Sequence, residues 1–218
     1  MQGVVIYAIG SPIVVDLEES LFRAGIPLRA GVQNQAGDCF LSDPTLVVTR
    51  DAIPHHIKNF PFMVPLFSPG NRQQAVRQAE KLGFKHPFSL IDPSVAAPRA
   101  LRHDPGLYVN AGCSLGAASE FDSFVFINRG AAVGHHTKLG RFVSIGPGAV
   151  IGGQVTVGKG SLVGAGAVVL PNITVGENAV VGAGAVVVHD VADHCLVLGI
   201  PARPVKSGIP GYNSKTVE

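Results

Sequence analysis

A six-residue repeat in the second half of the chain is the feature that most constrains its fold. An aliphatic or aromatic residue recurs without a break at every sixth position: Val109, Leu115, Phe121, Ile127, Val133, Leu139, Ile145, Ile151, Val157, Val163, Val169, Val175, Val181 and Val187. The next residue is usually glycine, and the repeat spans about residues 91–192. A period of six is too short for a helix pair and does not match the 3.5 or 3.6 period of a helix.

This period predicts a parallel β-helix. Each hexad suits a short strand followed by a corner, where glycine permits a tight turn or a close backbone approach. Three hexads close a triangular coil, which points the aliphatic residues inward and stacks successive coils about 4.8 Å apart. The repeat then makes a prism of about five to six coils. A β-sandwich with glycine-rich turns is the alternative, but a sandwich does not keep an unbroken register of six.

The front of the chain predicts a small α/β domain instead. The expected elements are a strand at Val4–Tyr7, a helix over about Pro12 to Ala24, strands at Pro27–Val32 and Leu46–Val48, and a helix over Asn71–Leu82 that stops at Gly83. Strands that alternate with helices predict a small parallel, Rossmann-like sheet. We therefore expect an α/β domain over residues 1–88, a β-helix over 89–205 and a loose C-terminal tail over 206–218.

Composition excludes several classes of protein. The chain carries 17 Lys and Arg against 15 Asp and Glu, and charged residues make up only 15% of it. A nucleic-acid-binding protein would normally show a basic stripe, and no apolar run approaches the roughly 18 residues of a membrane-spanning helix. Three widely spaced cysteines form neither a disulfide framework nor a metal knuckle. We expect a cytoplasmic protein without nucleic-acid or membrane partners.

The adjacent pair His135 and His136 is the best candidate for chemistry. It occupies the third and fourth positions of the hexad that starts at Val133, whose aliphatic residue points inward. At least one imidazole should therefore face solvent or a neighbouring subunit, and imidazole is the natural general base near neutral pH. The alternative is a pair of surface residues at a turn. His189, in the same column three coils later, is assigned to that alternative.

The hexads, together with Gly-Ala-Gly-Ala-Val-Val-Leu-Pro-Asn-Ile-Thr-Val-Gly (164–176) and Gly-Ile-Pro-Ala-Arg (199–203), resemble the left-handed β-helix acyltransferases. The front domain and Leu-Ile-Asp-Pro-Ser (90–94) resemble, more narrowly, the family of sialic acid O-acetyltransferases and bacillosamine-type nucleotide-sugar N-acetyltransferases. The left-handed sense comes from this resemblance, because the general rule for parallel crossovers favours the right-handed form. The resemblance implies a homotrimer, acetyl-CoA as co-substrate, no metal, and a sugar or nucleotide-sugar as acceptor.

The resemblance also implies roles for the histidine pair. The family has a histidine followed by Asp or Glu, so His135 is the expected base and His136 replaces the acidic partner. His135 would take a proton from the acceptor amine or hydroxyl as that atom attacks the thioester carbonyl. A backbone N–H of the adjacent coil would hold the oxyanion. Because neutral His136 supplies no negative charge, we expect a weaker base, which an amine acceptor tolerates better than a hydroxyl.

Binding residues follow from the same resemblance. Ser144 stands where the family often has a second histidine near the acetyl group, and Gly153, Ala165 and Ala183 match positions that line the acetyl-CoA groove between subunits.

The acceptor motif Gly-x-Gly-Gly-His-Ala corresponds here to the stretch that runs from Ala8 to Ile13. Gly10, Ser11 and Pro12 are therefore the expected acceptor-binding residues. The missing glycines predict weak binding of a free nucleoside diphosphate. They favour a second possibility, an O-acetyltransferase that acts on a non-nucleotide small acceptor. A third possibility, a non-catalytic trimeric scaffold, is favoured by the missing acid and the missing second histidine.

Overall fold

The computed structural model describes residues 3–218, so the first two residues of the predicted front domain lie outside the described part. It shows a four-stranded sheet with two α-helices, followed by a long coil of short parallel strands. Neither helix of residues 3–218 is long and apolar enough to cross a lipid bilayer.

We call the front region the sheet domain. Its elements are β1 (Val4–Tyr7), α1 (Val14–Arg23), β2 (Leu28–Gln33), β3 (Val47–Thr49), β4 (Phe62–Met63) and α2 (Pro69–Lys81), with short 3-10 helices at Pro44–Leu46, Arg50–Ala52 and His55–Asn59. The strands are parallel in the order β3-β2-β1-β4. The predicted strands and helices are present, and Gly83, with a φ of +100°, follows α2 as expected.

The coil has three faces. The first face contains Leu90–Ile91, Tyr108–Val109, Phe126–Ile127, Ser144–Ile145, Leu162–Val163, Val180–Val181 and Cys195–Leu198, with Arg203–Ser207 antiparallel at its end. The second face contains Ser114–Leu115, Ala132–Val133, Val150–Ile151, Val168–Val169 and Val186–Val187. The third face contains Arg102–His103, Glu120–Phe121, Lys138–Leu139, Thr156–Val157 and Thr174–Val175.

The predicted period sets the pairing of these strands. Val150 pairs in parallel with Ala132 on one side and with Val168 on the other, so partners lie eighteen residues apart. The second residue of nearly every two-residue strand points into the coil, where Ile145 and Val163 are fully buried. The prediction of a parallel β-helix with an aliphatic interior is confirmed.

The outward residues distinguish the three faces. On the first face, Tyr108 and Phe126 are buried in one apolar cluster with the sheet domain. On the second face the outward residues are small or aliphatic, and Val150 is 44% exposed. On the third face they are polar or charged, as at Lys138 and Thr156. The sheet domain therefore covers one face of the prism and leaves the other two open.

A buried arginine joins the sheet domain to the first face. Arg72 of α2 is 2% exposed and donates to the carbonyl oxygens of Phe124 and Phe142 at 2.9 and 2.8 Å, and to that of Phe67 at 3.1 Å. It also donates to the hydroxyl of Ser144 at 3.0 Å. Burial lowers the pKa of Arg72 to about 9, so the guanidinium stays charged at neutral pH. Backbone oxygens and the Ser144 hydroxyl, rather than a carboxylate, accept its hydrogen bonds.

The C-terminal residues are not loose, and that part of the prediction is wrong. Val217 is buried, and its backbone N–H donates to the Oδ1 of Asn178 at 2.7 Å. The side-chain amide of Gln73 donates to the main-chain oxygen of Glu218 at 3.0 Å. The polar composition of the segment suggested a free end, whereas two amide side chains from distant parts of the chain bind its backbone.

Candidate active site

The histidine pair lies at the corner between the second and third faces. The corner follows Ala132–Val133 and precedes Lys138–Leu139. His136 has a φ of +57°, which turns the chain, and its N–H donates to the Ala117 carbonyl of the previous coil at 3.0 Å. Both histidine side chains are exposed. The expectation that an imidazole faces outward is therefore correct for both residues.

The two imidazoles contact each other. The Nδ1 atoms of His135 and His136 are 3.0 Å apart, and the rings are almost perpendicular, at 88°. Only one of the two nitrogens can carry the proton of this hydrogen bond. If His135 donates, its Nε2 is unprotonated and can act as a base; if His136 donates, neutral His135 carries its proton on Nε2. His135 is therefore a base only when His136 is the acceptor.

Gly153 lies one coil beyond His135, directly against its ring. A Cβ at Gly153 would be 2.8 Å from both Cε1 and Nε2 of His135, closer than real Cβ contacts. The absence of a side chain at this position therefore makes room for the imidazole. The backbone supports the same contact, because the Gln154 N–H donates to the His135 carbonyl at 2.8 Å.

Two other predicted residues lie on a different edge. Ala165 and Ala183 follow first-face strands, at the corner between the first and second faces. They are one coil apart, and the Ala165 carbonyl accepts from the N–H of Gly184 at 2.8 Å. The structure thus brings His135, His136 and Gly153 together, while Ala165 and Ala183 form a separate pair across the second face.

Ser144 does not line either edge. It is fully buried on the first face, where its hydroxyl donates to the Phe67 carbonyl at 2.6 Å and accepts from Arg72. The prediction that Ser144 contributes to an acetyl-CoA groove is wrong, because the sheet domain covers this side chain. Hexad spacing gives the orientation of a residue but does not tell which face another domain covers.

A second candidate site lies at the carboxyl ends of β1, β2 and β4. A cavity of about 570 Å³ there is lined by Gly10, Ser11 and Pro12, by the loop at residues 34–38, by the loop that follows β4, and by residues from α2 and the C-terminal end. The carboxyl edge of an open parallel sheet is where such sheets bind ligands. The three predicted acceptor-binding residues all border this cavity.

Local geometry at the cavity favours ligand binding. Ala8, at the end of β1, has a φ of +71°, so the chain keeps the left-handed turn that a glycine would favour. The Oγ of Ser68 and the Oδ1 of Asn71 are buried without hydrogen-bond partners, and both residues line the cavity. Sequence reasoning missed these two residues, because isolated polar residues at a helix start carry no motif. No metal-binding cluster of His, Cys, Asp or Glu occurs within residues 3–218.

The two candidate sites lie on opposite sides of the coil. The sheet domain, with its cavity, covers the first face. The corner that carries His135 joins the second and third faces, and in a three-sided prism this corner is opposite the first face. The cavity and the imidazole of one chain therefore lie on different sides of the coil.

Comparison with known proteins identifies the class. The family described as bacterial transferase hexapeptide (six repeats) matches residues 154–189. A histidine-to-alanine mutant of GDP-perosamine N-acetyl transferase from Caulobacter crescentus, in complex with CoA and GDP-perosamine, is 31% identical. The match covers 94% of this chain and 97% of that chain, with a TM-score of 0.85. The chain therefore belongs to the hexapeptide-repeat family of left-handed β-helix acyltransferases, as its motifs predicted.

Within this family, the chain is similar to sugar N-acetyltransferases, of which the GDP-perosamine enzyme is one. The acetyltransferase domain of PglB from Neisseria gonorrhoeae, in complex with acetyl coenzyme A, is 27% identical over 94% of this chain and 99% of that chain, with a TM-score of 0.81. WeeI from Acinetobacter baumannii, at 18% identity over 94% and 100% of the two chains and a TM-score of 0.76, shares the fold. No curated protein matches the sequence significantly.

Proposed function

We propose that this protein transfers the acetyl group of acetyl-CoA to the amino group of a nucleotide-linked sugar, with His135 as the general base. The observation that carries the proposal is the contact between the His135 and His136 rings beside the side-chain-free Gly153. The similar proteins whose structures contain CoA with GDP-perosamine, or acetyl coenzyme A, support the same chemistry.

The histidine pair supplies the proton transfer. The Nδ1–H of His135 donates a hydrogen bond to Nδ1 of His136, so the Nε2 of His135 carries no proton. This Nε2 accepts a proton from the acceptor amine as the amine nitrogen attacks the thioester carbonyl. The carbon–nitrogen bond forms, the carbon–sulfur bond breaks, and the imidazolium can return its proton to the departing thiolate. Because neutral His136 orients the ring but adds no charge, an amine is a better acceptor for this site than a hydroxyl.

The sheet domain supplies the acceptor site in this proposal. Its parallel order β3-β2-β1-β4 matches the first four strands of a Rossmann-like sheet, in which a ligand binds beyond the carboxyl ends. Gly10, Ser11 and Pro12 border the cavity at that edge. The positive φ of Ala8 preserves the turn after β1, which favours a nucleotide-linked acceptor over the non-nucleotide alternative.

We further propose that the active enzyme is a homotrimer. The cavity and His135 lie on opposite sides of one chain, so a complete site requires the cavity of one subunit and the imidazole of another. The aliphatic outward residues of the second face supply a surface for such packing. The acetyl-CoA groove would then have Gly153 from one subunit and Ala165 and Ala183 from its neighbour, whose small side chains leave room for a pantetheine arm.

An acetyl-transfer assay with a panel of amino sugars and their nucleotide-linked forms tests the function. His135→Ala should reduce kcat by about 10²- to 10⁴-fold while acetyl-CoA binding persists. Gly153→Ala should also lower kcat, because its methyl group displaces the ring. His136→Ala should cost less than His135→Ala, and His136→Glu should raise kcat because a carboxylate stabilises the imidazolium.

His189→Ala is the matched control, since it removes an exposed histidine from the same edge of the coil. It should leave kcat unchanged. Equal activity of His135→Ala and the wild type would reject His135 as the base. Absence of acetyl transfer to every acceptor by the wild type would favour the scaffold interpretation.

A further inference from the structure

The C-terminal end of the chain forms one wall of the acceptor cavity. We call residues 209–218 the C-terminal strap. Tyr212, Asn213 and Lys215 of the strap line the cavity, opposite the loops that follow the strands of the sheet domain. Those loops lie at the carboxyl ends of a parallel sheet, where a binding site is expected. The strap instead reaches the cavity from the far end of the sequence.

Contacts at several points fix the strap in this position. Asn178 of the coil binds the backbone N–H and carbonyl of Val217, at 2.7 and 3.2 Å. Gln73 of α2 binds the backbone of Glu218. Gly70, near the start of α2, permits the closest approach, because a Cβ there would lie 2.5 Å from the Cβ of Lys215. The strap is therefore part of the folded structure, and its side chains are placed before any ligand binds.

Lys215 brings a positive charge to the cavity. Its Nζ donates to the Oε1 of Gln74 at 3.0 Å, which uses one of the three donors of an ammonium group. Across residues 3–218, no carboxylate lies within ion-pair distance of Lys215. Glu218, the acidic residue of the strap, pairs with Arg77 instead. Among the described residues that line the cavity, Lys215 is the only cationic one and Asp38 the only acidic one.

We propose that Lys215 binds the phosphate groups of the acceptor, and that the strap thereby determines specificity for a nucleotide-linked sugar. This inference rests on the proposed function. An ammonium group is a strong point-charge donor to phosphate. Ser11 stands where the family motif has a glycine, so the loop after β1 offers a phosphate less backbone access than the family motif. The charge of Lys215 replaces part of that interaction.

Calorimetric titration with GDP, UDP and the phosphate-free nucleosides guanosine and uridine tests the proposal. Lys215→Gln should weaken binding of the preferred diphosphate by about tenfold to a hundredfold, the range expected for a charge-assisted hydrogen bond. Affinity for the matching nucleoside should not change. Lys215→Arg should retain most of the affinity, and Lys206→Gln, an exposed lysine outside the cavity, is the matched control. In kinetics, Lys215→Gln should raise the acceptor KM and leave kcat within about twofold.

A second variant changes the position of the strap and not its charge. Gly70→Ala should displace Lys215 and weaken diphosphate binding, although every charged residue remains. Equal diphosphate affinity of Lys215→Gln and the wild type would overturn the inference, even if acetyl transfer is normal. Loss of diphosphate binding in Lys215→Gln, in a protein that transfers no acetyl group, would support the inference and reject the proposed function. A wild type that binds neither GDP nor UDP would overturn the inference.

Discussion

The coil and the sheet domain are both built from parallel strands, but they assemble their candidate sites in opposite ways. In the coil, residues one turn apart lie in contact, so His135 and Gly153 meet at one corner because they are eighteen positions apart. In the sheet domain, the cavity collects loops that are far apart in sequence, together with the C-terminal strap. Regular repetition therefore makes a site from neighbouring coils, whereas an open sheet makes a site at its edge.

The coil and the sheet domain also contribute different parts of the proposed catalytic machinery. The coil provides a rigid edge with a candidate base, and it leaves an aliphatic second face open. The sheet domain and the C-terminal strap together form a cavity, and among its described lining residues Lys215 alone is cationic. Since the two sites of one chain lie on different sides of the coil, we expect catalysis to require the assembly and acceptor binding to require only the single chain.

The largest expected effect comes from a charge on the open face of the coil. Val150→Glu would bury a carboxylate in each subunit contact of the proposed trimer, which costs several kcal/mol when the charge is unpaired. We expect light scattering at micromolar concentration to show monomers and acetyl transfer to be lost, while nucleotide binding to the cavity persists. Thr156→Glu, at an exposed position of the third face, should remain trimeric. A trimeric Val150→Glu variant would show that the second face is not the contact.

The second-largest expected effect is the loss of folding stability when the contact between the sheet domain and the coil is broken. Arg72→Met leaves the buried carbonyl oxygens of Phe124 and Phe142, and the hydroxyl of Ser144, without their donor. The expected loss is about 3 kcal/mol or more in the free energy of unfolding, since each unsatisfied buried group costs about 1–3 kcal/mol. Urea unfolding measures this loss.

The control for Arg72 is Arg77 of the same helix, whose half-exposed side chain pairs with Glu218. Arg77→Met should cost less than about 1 kcal/mol, as exposed ion pairs do. Similar losses in the two variants would mean that the buried hydrogen bonds of Arg72 do not hold the sheet domain on the first face.

The coil could be predicted from the sequence because its contacts follow a fixed spacing. The period stacks residues eighteen positions apart, which places Gly153 one coil beyond His135, and it points at least one of the two imidazoles outward. The role of Ser144, which was taken from the family resemblance, was predicted wrongly. The face that the sheet domain covers depends on contacts such as those of Arg72, which lies 72 residues away. The strap was missed for a similar reason: its hydrogen bonds join Val217 to Asn178 and have no local pattern.

A smaller effect concerns the start of the first face and depends on pH. The Asp92 carboxylate is buried, which alone would raise its pKa, but hydrogen bonds from Arg23 and Ser94 outweigh burial and hold that pKa well below its usual range. Because the pKa is lower in the folded state, the stabilisation is complete above about pH 4, the ordinary range of an aspartate, and is lost as pH falls toward the folded pKa. Asp92→Asn should therefore cost about 2 kcal/mol at pH 7.

Urea unfolding of both proteins between pH 7 and pH 2 checks the sign. The difference between the wild type and Asp92→Asn should shrink below about pH 4. Asp51→Asn, at an exposed carboxylate that pairs with Arg50, should show little difference at any pH. A difference for Asp92→Asn that stays constant with pH would mean that the charge of Asp92 does not stabilise the fold.

The smallest effect concerns the turn after β1, where the sheet domain and the coil are most alike, since both turn the chain with residues of positive φ. Ala8 has a φ of +71°, which costs an alanine about 1–2 kcal/mol. Ala8→Gly relieves this strain but loses a buried methyl group, worth about 0.8 kcal/mol, and adds freedom to the unfolded chain, worth about 0.4–1 kcal/mol. The net change in unfolding free energy should lie within about 1 kcal/mol of zero.

Ala30→Gly removes an equally buried methyl group from strand β2 without relieving any strain, so it should cost about 1–2 kcal/mol more than Ala8→Gly. Equal losses in the two variants, measured by urea unfolding, would show that Ala8 carries no strain at the turn.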